Sequence, residues 1–262
     1  MRTRMKSLLL AINFRKVALS TVALVVFGLT ASAVRADPFV FTVNTTIGGT
    51  GPVNAQATFH QSGPNLLQIT LKNFQATGNI GQAISGIQFQ ICDASHNVLN
   101  ITGSITTQNN PEINVDGSGN VTSLGTTASG WGLSSAGPSF TMTALGFTGQ
   151  GTNPPDELIT GALSSPNGSI AGNDPHNPFI NQQGVFTLTL SQTLPLNYQI
   201  CNVVFLFGTG PDFVPATPGT PVPEPATMLL LGTGLVGIAA MLRRSRKKSK
   251  ERPGDAIRVS TR

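Results

Sequence analysis

The chain has 262 residues, room for one sizeable domain plus targeting segments, and its net charge of +5 averages three unlike regions. Six of its 16 basic residues precede residue 37 and nine follow residue 242, so Lys72 is the single Lys or Arg of residues 37–222, against eight Asp and Glu. A region with one cation cannot neutralise a phosphate backbone, which excludes nucleic acid as a partner of that part of the chain.

Residues 1–36 read as a signal peptide. Arg2, Arg4, Lys6, Arg15 and Lys16 precede the mostly apolar run Val17–Leu29, and small residues follow at Ala31-Ser32-Ala33. That order is what general export machinery and signal peptidase require, with cleavage after Ala33 or after Ala36.

Residues 37–214 read as an extracellular all-β passenger, an antiparallel sandwich resembling a jelly roll. Period-2 alternation marks half-buried strands at Leu67–Leu71, Ile87–Ile91 and Phe186–Leu190. Further strands are expected at 39–46, 55–60, 98–106, 140–147, 157–161 and 198–207. Ile113–Val115 and Val121–Leu124 flank Asp116-Gly117-Ser118-Gly119-Asn120, a hairpin turn. Val203–Phe207 is apolar on both faces and predicts a central strand covered on both sides. Two stretches, 125–139 around Trp131 and 164–184, read as long loops.

Residues able to carry chemistry are few. His60, His96 and His176 sit on separate segments without ligand spacing, so neither a metal nor another cofactor is expected. Asp174, His176 and Asn177, in the Pro-stiffened loop Asn173–Phe179, could meet a ligand together; the blander reading is that they cap their own turns. The oxygens of Asn114, Asp116, Ser118 and Asn120 alternate as in calcium loops, but one charge among them favours a plain hairpin. No nucleophile elbow is present, and no catalytic residue is assigned. Glu112 and Glu157 are acids that a glycosidase would need paired in space.

Cys92 and Cys201 are the only cysteines, and their contexts, Phe89-Gln90-Ile91-Cys92 and Tyr198-Gln199-Ile200-Cys201, echo one another. Export makes a disulfide the expected state. Strand parity objects: Cys92 shares a face with Gln88 and Gln90, whereas strict alternation places Cys201 with Val203 and Phe205.

Residues 215–222 read as a stiff Pro-rich spacer. Beyond it stand Val222-Pro223-Glu224-Pro225, then seventeen uncharged residues, Ala226–Leu242, then Arg243, Arg244, Arg246, Lys247, Lys248 and Lys250. As a helix the uncharged run reaches about 26 Å, enough for a thin bilayer, so a membrane partner is expected at residues 226–242. The basic cluster should stay cytoplasmic, with residues 251–262 as a short extension on the same side.

Motif, apolar segment and arginine cluster in this order resemble the PEP-CTERM sorting domain, a tail module also named for the C-terminus of an ice-binding protein. The resemblance covers residues 223–250 and implies exosortase as partner, with a transient inner-membrane anchor. It further implies a cell-surface or matrix destination in a Gram-negative bacterium, where exopolysaccharide and biofilm surround the protein. The passenger is then expected to be a non-enzymatic surface or matrix domain. The alternative is a secreted carbohydrate-active enzyme on a jelly roll. An ice-binding face would need Thr ladders over several strands, and Thr187 and Thr189 supply one short rung.

Overall fold

The structure, a computed structural model, describes residues 38–106, 109–136, 138–145 and 156–219. The signal segment with Ala33 and Ala36, and the tail from residue 220 with Val222, Pro223, Glu224 and Pro225 and the basic cluster, lie outside the described residues. Among the described residues no helix is long and apolar enough to cross a membrane.

The described residues are all-β, in two sheets. The first contains, in spatial order, β15 (Thr217–Pro218), β1 (Phe39–Ile47), β2 (Gly51–Gly63), β3 (Leu66–Asn73), β12 (Gln183–Leu190) and β5 (Gly103–Thr106). The second runs β14 (Asp212–Pro215), β13 (Gln199–Phe207), β4 (Ile84–Cys92), β10 (Ile159–Thr160), β11 (Phe179–Asn181), β6 (Asn109–Val115) and β7 (Val121–Ala128). On β4 also pairs β9 (Ser139–Thr143), which carries β8 (Gly132–Ala136). Pairing is antiparallel except between β10 and β11.

Alternation decides which faces meet. Val53, Ala55, Ala57 and Phe59 of β2, Leu67, Ile69 and Leu71 of β3, and Phe186 and Leu188 of β12 are buried, while their polar neighbours face out. Phe59 meets Phe89 of the opposite sheet edge-on, with centroids 5.0 Å apart, and Phe89 stacks on Phe140 of β9 at 5.1 Å. Each such ring contributes about 1.5–3 kcal/mol by burial, so this aromatic row ties the sheets into one core. At the rim of that core the Asn73 side chain donates to Gln82 O (2.8 Å) and Ile159 O (2.9 Å), and accepts from the Gln75 amide (3.0 Å). Its polar atoms are thereby satisfied, as burial demands.

Several expectations change. The stretch 125–139 holds the end of β7 and all of β8, and 164–184 holds β11 and the start of β12. β7 and β8 are hairpin arms on β6 and β9 without apolar alternation, and β11 is three residues long and pairs with the distant β6, so local pattern could not show them. Of the expected strand 98–106 only Gly103–Thr106 forms, while Val98 bridges Cys92. β13 is next to the sheet edge, covered by β14, with Phe205, Leu206 and Phe207 buried as the apolar run requires. The Pro-rich stretch is no free spacer at its start: β15 pairs with β1, and the folded unit runs to Gly219 where 214 was expected.

Candidate functional site

Cys92 and Cys201 form a disulfide, with Cα atoms 6.2 Å apart and 109 positions between them. The parity objection is resolved by a bulge. Gln90 pairs with Cys201 but Gln88 pairs with Val204, so β13 holds one residue more than β4 across that interval. Asn202 takes a left-handed conformation there (φ 51°). The extra residue flips the phase of β13, so Val203 and Phe205 point inward while Cys201 shares the outer side with Gln90. No glycine marks the bulge, and alternation alone therefore misplaced Cys201.

Beside the disulfide lies a cavity of about 540 Å3, lined by apolar groups of Phe41, Ile200, Val203, Pro215, Ala216 and Pro218. Its polar lining is His96 and Asn202, and His96 Nδ1 is 3.9 Å from Cys201 Sγ. Pro215, Ala216 and Pro218 belong to the last part of the domain before the tail, and their Pro-rich composition reads as a free spacer with no mark of docking.

A second cluster is acidic. Glu112 on β6 and Glu157 before β10 are 4% and 8% exposed, and Asp156 adjoins Glu157 in sequence. The Gly130 amide donates to the Glu157 carboxylate, and Trp131 Nε1 donates to Glu157 O at 2.9 Å. Trp131 packs on Phe186 with ring centroids 4.6 Å apart. Burial pushes the Glu157 carboxyl up to about 7; the Gly130 hydrogen bond opposes this, and the charges of Glu112 and Asp156 add to it. Glu112 Oε1 and Asp156 Oδ1 are buried without a hydrogen-bond partner. Among the described residues, no group of three or more His, Cys, Asp or Glu could hold a metal ion.

In the loop with Asp174, His176 and Asn177, residues Asp174–His176 form a 3-10 turn capped by Asn177, and the side chains of His176 and Asn177 serve the fold. Asn177 accepts from the Val115 amide (2.9 Å) and donates back to Val115 O (3.1 Å). His176 Nδ1 lies 3.0 Å from Ser169 O. Two turns share one design, Asp93-Ala94-Ser95-His96-Asn97 and Asp116-Gly117-Ser118-Gly119-Asn120. In each the Asp carboxylate accepts two amides and the Asn side chain, at 2.8–3.0 Å, and the fourth residue is left-handed: His96 at φ 62°, Gly119 at φ 80°. Those hydrogen bonds hold both carboxyls below their usual range, the Asn97 and Asn120 side chains first. The alternating oxygens at 114–120 thus close a hairpin.

Residues 221–247 match the model of the PEP-CTERM protein-sorting motif. The match carries exosortase-dependent sorting of an exported protein, with exosortase as the processing enzyme. No curated protein and no solved structure matches the chain.

Proposed function

We propose that residues 37–219 are a non-enzymatic surface or matrix domain, an antiparallel sandwich exported behind a cleaved signal peptide at 1–36. It is delivered through the exosortase route to the surroundings of an exopolysaccharide-producing cell. Residues 226–242 serve as the transient membrane span, with the cluster from Arg243 to Lys250 on the cytoplasmic side. The sorting match carries this reading. The disulfide supports it, since such bonds persist in oxidising spaces. So does a passenger whose surface is wet but nearly free of cations.

The second reading, a carbohydrate-active enzyme, is favoured by Glu157, an acid raised to about 7 beside Glu112. Against it stands the burial of both side chains, since a general acid must reach the glycosidic oxygen. A glycan array, with assay of released reducing ends, separates the two on the exported full passenger. Polymer binding without cleavage is expected. Cleavage that E157Q and E112Q both abolish would establish the enzyme instead.

A further inference from the structure

The last eight described residues, 212–219, join the folded body to the sorting segment and strap one sheet to the other. β14 pairs with β13 in the second sheet, Val204 opposite Pro215 through Phe207 opposite Asp212. The chain then crosses over, and β15 pairs with β1 in the first, Thr42 opposite Thr217 and Phe41 opposite Pro218. Polar contacts hold the crossing. The Ala216 amide donates to Val203 O (2.9 Å), Thr217 Oγ1 to Thr42 O (3.1 Å), and the Gly219 amide to Val40 O (2.8 Å). Yet no residue from 212 to 219 is buried, and Pro218 has no amide hydrogen to add to the ladder. An edge strand held by backbone hydrogen bonds, with little buried surface, opens at the low end of local unfolding free energies.

Only Thr220, Pro221 and Val222 separate Gly219 from Pro223-Glu224-Pro225. A peptidase takes its substrate as an extended segment reaching to both sides of the bond it cuts. We propose that β15 is a latch on tail processing: exosortase acts through the state in which residues 216–219 have left β13 and β1. This rests on the exosortase reading of the tail. The bond broken is one peptide bond near the motif. Its acyl carbon passes to the enzyme's nucleophile and then to water or an acceptor amine, and the tail departs as the free amine. Docked β15 slows this step by withholding the residues on the N-terminal side. The proline-rich composition then has a physical use, because it keeps the edge pairing thin enough to release.

The test uses the full-length chain co-expressed with an exosortase, following the processed fraction over time. Two changes address the latch differently. A216P/G219P removes both amide donors, whereas a six-residue Gly-Ser insertion between Gly219 and Thr220 leaves β15 docked and lengthens the free segment. A216P/G219P should raise the initial processing rate about tenfold, the effect of two backbone hydrogen bonds of ordinary net strength, and the insertion should raise it by a similar factor by supplying the extended segment without opening β15. The combination should be no faster than either alone. Because two new prolines can disturb folding, the insertion is decisive: acceleration by it supports the latch whatever A216P/G219P does. Acceleration by the prolines but not by the insertion reports damage to the fold and overturns the latch. Equal rates for all chains overturn it too, with sorting intact. Absence of processing in every chain overturns the exosortase reading and the latch with it.

Discussion

Glu157 is where the fold carries its least comfortable charge. The residue is buried, left-handed (φ 56°) and near two other acids, with the Gly130 amide as one compensating partner. Its folded pKa lies above the unfolded value of 4.5, so the native state binds the proton more tightly. The stability tied to that proton is complete below pH 4.5 and is lost as pH rises through about 7. The loss is at most about 3 kcal/mol. E157Q, which keeps an acceptor for Gly130, should flatten this slope and melt higher than the original at pH 8, as thermal unfolding from pH 5 to 8.5 will show. A steeper fall with pH in E157Q would contradict the assignment. At His96 the comparison is internal to the molecule, since the matching position of the second turn is Gly119. H96G should therefore stabilise by about 0.5–1 kcal/mol in denaturant unfolding, through relief of left-handed strain. Loss of stability would show instead that the His96 contact with Cys201 outweighs the strain.

Among the elements, the strands with plain alternation were legible: β3, β4 and β12 bury the side chains their pattern predicts. The hairpin β6–β7 was legible from its turn, whose Asp and Asn supply the local hydrogen bonds. The elements that stayed hidden are short. β11 and β15 are three and two residues long and owe their pairing to partners distant in sequence, while β8 is a short strand that lacks alternation and hairpins onto β9. The bulge at Asn202 hid for another reason, since an Asn in left-handed backbone looks in sequence like any polar strand residue. The bulge lets the disulfide form, so the disulfide tests it. C92A/C201A should cost about 2–4 kcal/mol in denaturant unfolding, given the 109-residue separation. An unchanged midpoint would mean that β4 and β13 already hold the chain without the bond.

At the scale of the whole molecule the charge is sorted by compartment. The basic residues collect at the two ends, and the middle holds Lys72 as its single Lys or Arg, a division that the proposed export and anchoring would put to use. The acid cluster was half legible: Glu112 and Glu157 stood out as acids, but only the fold brings β6 and the start of β10 together around Trp131. Export gives a direct expectation at the other end of the chain. N-terminal sequencing of exported protein should find Val34 or Asp37 first, and Met1 at that position would contradict the signal-peptide assignment.

Sorting through the tail is the central claim, and the mass of the exported protein tests it most directly. Intact mass spectrometry should compare protein from cells with and without the exosortase, alongside a chain whose Pro223-Glu224-Pro225 is replaced by alanines. With the enzyme, the original chain should lose the apolar segment and basic cluster through a cut near Pro223–Pro225. The replaced chain, and the original without enzyme, should keep both and fractionate with the inner membrane. Identical masses in all three samples would contradict the account.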